Sequence, residues 1–156
     1  MFVYYIVIIL LVAADLATKS MIAANPAYSD MTVIPGFFHI TYVENNGAAW
    51  SILSGQRILL SLIAGAAVVV MLGLMHKSAE KGEKLAAWAL ALMSAGALGN
   101  LIDRLMLGHV RDFLNFYIFG YDFPVFNVAD VCLTIGVCLL ILSSLIEPGG
   151  KGEQHG

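Results

Sequence analysis

Charge is what this chain has least of. Asp, Glu, Lys and Arg make up 12% of its 156 residues, against roughly a quarter in an ordinary soluble domain. Eight Lys+Arg stand against eleven Asp+Glu, a formal net charge of −3. No basic stripe exists to neutralise phosphates, which excludes a nucleic-acid partner. Cysteine is nearly as scarce. Cys132 and Cys138 sit six residues apart inside an apolar run, a spacing that suits neither a metal site nor a redox pair. They read as two small buried hydrophobes, and a secreted disulfide scaffold is excluded.

Apolar residues fill the space that charge leaves. They account for 60% of the chain, and the mean hydropathy is +0.84. That is about 94 residues, against about 80 needed for four helical crossings of a bilayer. Four stretches have the required length. They give spans at about 2–22, 57–75, 85–103 and 128–146, each nearly free of charge. The first has no Lys or Arg before its apolar run, so it reads as a span rather than a cleavable signal peptide. The expected organisation is one integral membrane domain over 1–147 and a Gly-rich, polar, disordered tail over 148–156.

The connections differ in kind. Residues 25–56 are long and polar-aromatic, with Pro26, Pro35 and Gly36; residues 104–126 mix charges, aromatics and Pro124. The short loop 76–84 carries Lys77, Lys81 and Lys84, whereas residues 20–56 carry no Lys or Arg. Positive charge marks the cytoplasmic side, so both termini are expected there and the two long connections outside. Arg104 and Arg111 dilute that signal. Within the first connection, Phe38-His-Ile40-Thr-Tyr42 alternates as one or two short strands would. Gly47 after Asn46 supplies a turn.

Alternation of four spans puts the end of span 1, the start of span 2, the end of span 3 and the start of span 4 on one side. Asp15 and Lys19, Arg57, Asn100 with Asp103 and Arg104, and Asn127 with Asp130 lie at those ends. Polar groups from at least three helices therefore converge at one level. Lys19 and Arg57 alone could be anchors snorkelling to the headgroups. Short carboxylates and amides cannot reach that far, and ionisable groups within spans mark function. Asp15 and Lys19 are i,i+4 and can pair. Asn127, just after Pro124, is placed to cap span 4.

Nucleophilic chemistry finds little here. A Ser51/His39 site has no third group to orient a base. A metal site at His109 and Asp112 lacks a third ligand. Carboxylates remain: Asp15, Asp30, Glu44, Asp103, Asp112, Asp122 and Asp130 lie outside the short loop and tail. Two facing aspartates in an apolar setting share one proton, so that one activates water while the other polarises a carbonyl. Composition does not say which two. A small proton-coupled transporter is the alternative, since Asn-x-x-Asp recurs at 100–103 and 127–130. Carriers place their site near the midplane and open it to both sides, whereas this polar level lies near one face.

Five segments, in order and at span ends, resemble those of the bacterial lipoprotein signal peptidase (signal peptidase II) family. Asp15-Leu-Ala-Thr-Lys19 is similar to its DxxTK, and Asn45-Asn-Gly-Ala-Ala-Trp-Ser51 to its NxGxAFS. Ala95-Gly-Ala-Leu-Gly-Asn-Leu-Ile-Asp-Arg104 is similar to GGxxGNxxDR, Val110-Arg-Asp-Phe113 to VxDF, and Phe126-Asn-Val-Ala-Asp130 to FNxAD. Trp50 and Ala95 depart from the usual residues. The resemblance implies an all-α membrane protein of four transmembrane helices with a small β-stranded extramembrane cradle on the outer face. It implies an aspartic endopeptidase with catalytic Asp112 and Asp130, supported by Asp15, Lys19, Asn45, Asn100, Asp103, Arg104 and Asn127. The implied substrate is a diacylglyceryl-modified prolipoprotein, cut just before its lipidated cysteine. No cofactor or metal is implied. Membrane lipids are the surrounding partner, and a monomer is expected in the bacterial inner membrane, with its site near the outer, periplasmic leaflet.

Overall fold

The computed structural model describes residues 1–47 and 55–146; Trp50, Ser51 and the 148–156 tail lie outside the described residues. Four helices form where the apolar runs are: α1 (Phe2–Ala24), α2 (Arg57–Glu80), α3 (Lys84–Met106) and α4 (Val128–Ile146). At 1.5 Å per residue each approaches or exceeds the ~30 Å of a bilayer's hydrocarbon, and each is apolar enough to cross it. Helices α2 and α3 run beyond their apolar stretches into the lysine loop. Charged residues cost a helix little once it leaves the membrane, so propensity carries these two onward.

Helix α3 is the centre of the bundle, and it packs against each of the other three. Its small residues allow this. A methyl group at Gly96 would meet the Ala129 carbonyl oxygen of α4, and one at Gly136 would meet Ala89 O of α3 at 2.8 Å. Close backbone approach of this kind packs helices where no hydrophobic effect separates them from lipid. The apolar core, with Tyr4, Ile8, Val68, Met75, Leu90 and Ala91, lies toward the α2–α3 loop. Cys132 is buried as expected, but Cys138 is exposed on the outer surface of α4, where lipid rather than protein supplies its apolar surroundings.

At the other end of the bundle stands a four-stranded antiparallel sheet: β1 (Asp30–Ile34), β2 (Phe38–Asn45), β3 (Val110–Ile118) and β4 (Tyr121–Asp122), in that order. It is larger than the sequence suggested. The alternation at 38–42 predicts β2, but β3 comes from the mixed third connection, where no strand is expected. Buried Asp112 and Asn115 interrupt the apolar alternation that would have announced it. The register pairs Phe38 with Phe116, Ile40 with Leu114 and His39 with Asn115. One face is thus Phe38, Ile40, Leu114 and Phe116, and the other is polar. Phe116 stacks on Phe38 at 4.6 Å between centroids and on Phe126 at 5.7 Å. These contacts hold the segment before α4 against the sheet.

Candidate active site

The site forms where the sheet meets the helix ends, and it is assembled from the first helix outward. Asp15 and Lys19 are one helical turn apart on α1, and their side chains pair at 2.8 Å. Lys19 is wholly buried. Its Nζ also donates to Asn100 Oδ1 at 2.9 Å and lies 3.5 Å from Asp103 Oδ2. An ammonium taken out of water needs every donor matched, and three partners from two helices do that. The other Asp15 oxygen accepts the Ala129 backbone N–H at 2.9 Å, an orphan donor in the first turn of α4. A methyl at Gly99 would strike the Asp15 carboxylate at 2.5 Å, so only glycine lets this helix-to-helix link form.

Asp103 faces the sheet. Arg111 donates to it three times, from its backbone N at 3.0 Å, Nε at 3.2 Å and Nη2 at 2.7 Å. This fork locks the start of β3 to the end of α3 across the turn at Gly108, whose φ of 91° only glycine adopts readily. The carbonyl oxygens at the end of the same helix are bonded by Arg57 Nη2, at Leu105 O. Arg57 therefore lies at the expected end of the bundle, where it serves the α2–α3 contact rather than the carboxylates.

With α3 and β3 fixed, four nitrogen donors surround two carboxylates. Asp112 accepts from Asn127 Nδ2 at 2.6 Å on one oxygen and from Asn45 Nδ2 at 2.9 Å on the other. Asp130 accepts from Asn100 Nδ2 at 2.8 Å and from the Asn127 backbone N at 3.1 Å. Each of the three amides is oriented by a second contact of its own. Asn127 Oδ1 accepts the Asp130 backbone N–H at 3.0 Å, which makes Asn127 the cap of α4 and turns its NH2 group toward Asp112. Asn100 Oδ1 receives the Lys19 ammonium, so its NH2 group must face Asp130.

Asp112 and Asp130 line one cavity of about 680 Å³. Its polar lining adds Asn45, Asn100 and Arg104, while Phe123, Val125, Phe126, Val131 and Ile135 form an apolar wall. Asp112 is buried, and desolvation first, with the charge of Asp130 behind it, pushes its carboxyl up to about 6. The hydrogen bonds from Asn45 and Asn127 and the charge of Lys19 pull the other way. Arg104 reaches across the cavity to Gly47 O at 2.9 Å, while Asn45 Oδ1 accepts the Gly47 N–H at 2.9 Å. One chain segment is thus held from two sides at the rim.

All nine residues singled out from the sequence lie in this one connected cluster. The arrangement of a metal site is not among them, for Asp112 turns to Asn45 and Asn127 while His109 Nε2 reaches Glu44 at 3.6 Å. Sequence reasoning gave no role to Arg111 or to the apolar wall. Gly108, eight residues before Phe116 and just past the end of α3, was the available sign of a tight return that brings Arg111 back onto Asp103.

Comparison with known proteins gives one answer. The family model described as "Signal peptidase (SPase) II" matches residues 7–146. Proteins named lipoprotein signal peptidase from Staphylococcus aureus strains JH9 and Newman are 41% identical over 151 residues, covering 96% of this chain and 92% of theirs. Two solved structures, both titled as a bacterial membrane enzyme determined by the in meso method, superpose closely. One has a TM-score of 0.87 at 39% identity, covering 100% of this chain and 95% of its own. The other has a TM-score of 0.83 at 40% identity, covering 94% and 95%. None of these relatives supports a carrier. With four membrane-length helices, one polar cavity and matches that run almost end to end, this chain belongs to the signal peptidase (SPase) II family of membrane peptidases.

Proposed function

We propose that this protein removes the signal peptide from lipid-modified prolipoproteins, in keeping with relatives named lipoprotein signal peptidase, and does so as an aspartic endopeptidase. The observation that carries the reading is the pair Asp112 and Asp130 in one half-apolar cavity, each carboxylate held by two nitrogen donors. Asp130 sits in the first turn of α4, where the helix dipole favours negative charge; it is assigned the anion. Asp112, pushed up to about 6, is assigned the shared proton.

The chemistry then balances without a cofactor. Asp130 takes a proton from a water whose oxygen attacks the scissile carbonyl carbon. Asp112 donates a hydrogen bond to that carbonyl oxygen as it gains negative charge. Collapse of the tetrahedral species breaks the C–N bond, and the proton held by Asp130 passes to the leaving amine. Asp15, Lys19, Asn100, Asp103 and Asn127 hold the carboxylates in place, while Asn45 and Arg104 at the rim suit contact with substrate backbone.

A substrate anchored by a diacylglyceryl group presents its scissile bond at the membrane boundary. The apolar wall from Phe123 to Ile135 gives acyl chains a path beside the carboxylates. The lysines of the α2–α3 loop support a cytoplasmic position for that loop and both termini, and with it a cavity in the opposite, outer leaflet. The working unit is taken as a monomer, since one chain supplies both Asp112 and Asp130. The test is cleavage of a diacylglyceryl-modified prolipoprotein by purified wild type, Asp112→Asn and Asp130→Asn. Wild-type cutting before the lipidated cysteine, with both variants folded and inactive, is the expected result. A variant that cuts at the wild-type rate would overturn the dyad.

A further inference from the structure

The sheet has two ends. One carries Asp112 and meets the helices; the other projects away from them and is apolar. There the β3–β4 hairpin pairs Ile118 with Tyr121, so Phe119 and Gly120 form the entire loop. Their φ values are 52° and 80°, the positive pair of a tight hairpin turn that ordinarily takes Asn-Gly or Gly-Gly. Phe119 is the only described non-glycine residue with positive φ, a conformation costing roughly 1–2 kcal/mol for a residue with a Cβ. No packing among the described residues repays that cost, because Phe119 is fully exposed.

The β1–β2 turn lies beside this tip. Tyr117 N–H donates to Phe37 O at 2.8 Å, joining the two hairpin ends. Val33, Ile34 and Phe37 on one hairpin, and Ile118, Phe119 and Tyr121 on the other, all stand exposed. No Asp, Glu, Lys or Arg occurs between residues 31 and 43 or between 113 and 121. The α2–α3 loop, by contrast, crowds three lysines and two glutamates into nine positions. Exposed apolar patches of this sort mark an interaction surface. Phe and Tyr without charge are the residues of the bilayer–water boundary.

We propose that this end of the sheet is a membrane foot: the two hairpin tips, led by Phe119, dip into the headgroup and upper acyl region of the leaflet nearest the active site. Lipid is the occupant the structure favours. The sheet is strung between the ends of four membrane-length helices, so the boundary is within reach. On the Phe119 side the sheet ends in β4, which has only two residues, too few to pair with a second copy there. Six residues of β3 separate Asp112 from Ile118, about 20 Å at 3.3 Å per residue. A strand held at its far end by lipid and at its near end by Arg111 is levelled along the surface, which fixes the depth of Asp112. The proposal rests on the spans and not on the peptidase reading.

The test places a nitroxide at Tyr121→Cys in a Cys132→Ala/Cys138→Ala chain, reconstituted in phosphatidylethanolamine–phosphatidylglycerol vesicles. A second label at Thr32→Cys, beside His39 on the polar face, is the water-exposed comparison. The expected outcome is a ratio of oxygen to nickel-chelate accessibility several-fold higher at 121 than at 32. Phe119→Gly should then lower that ratio, since glycine keeps the turn and removes the anchor; its melting temperature in detergent should hold or rise. Equal ratios at 121 and 32, or a 121 label shielded from both reagents and coupled to a second label in another molecule, would overturn the proposal. The latter would make the patch a contact between copies.

Discussion

Removing the Asn45 side-chain amide should move the alkaline limit of activity upward. Asn45 Nδ2 donates to Asp112 Oδ2 at 2.9 Å, and that bond favours the ionised carboxylate, opposing the burial that pushes the group up to about 6. Without it the acid form survives to higher pH. A hydrogen bond to a charged group is worth about 1.5–3 kcal/mol. Asn45 is only half-buried and water will replace part of it, so the lower figure applies. At 1.36 kcal/mol per unit, the shift is about one pH unit. Because Asp112 must hold the proton to act, the falling limb of kcat/KM in Asn45→Ala should lie about one unit above the wild-type limb, itself near pH 6 in the free enzyme. The assay is cleavage of a lipidated prolipoprotein in micelles across roughly pH 4–9. Asn45→Asp separates this from damage at the rim: it retains an acceptor for Gly47 N–H and adds a negative charge, so its limb should move further still. A limb that stays in place, or moves down, in a variant melting like wild type would refute the assignment of the proton to Asp112.

Three further outcomes follow from the same geometry. Lys19→Met leaves Asp15 and Asp103 facing one another without their shared cation; thermal unfolding in detergent should show a loss of roughly 3–5 kcal/mol, and a change under about 1 kcal/mol would contradict it. Gly96→Ala should lower the melting temperature by several degrees by pushing α4 away at Ala129, whereas Gly73→Ala, with open space around it, should be neutral or slightly stabilising. Arg111→Lys keeps the charge but not the fork on Asp103, so activity should fall at least tenfold with KM changing less than kcat.

Much of this was legible before any coordinates. The spans declare themselves through length and absence of charge, because lipid tolerates no other way to cross it. The clustering of Asp15, Lys19, Asn100, Asp103, Asn127 and Asp130 follows from span parity alone. The identity of the two positions proposed as catalytic did not. Seven carboxylates were open on composition, and only the resemblance singled out Asp112 and Asp130. Strand β3 hid because its buried positions include Asp112 and Asn115, chosen for chemistry and hydrogen bonding rather than for an apolar face. Arg111 hid because its meaning depends on Gly108 reversing the chain, a long-range consequence of one torsion angle.

The bond between Asp15 and the Ala129 N–H joins residues 114 apart in sequence, and strands β2 and β3 pair only after α2 and α3 have been made. During synthesis, then, the first helix enters the membrane with Asp15 and Lys19 paired only to each other, before their partners on α3 and α4 exist. Neither Asp112 nor Asp130 has its full set of donors until Asn127 and the first turn of α4 leave the ribosome. The growing chain is inert as a protease for most of its manufacture and acquires activity in the final span. A fragment that stops short of α4 therefore has neither Asp130 nor the Asn127 donors of Asp112.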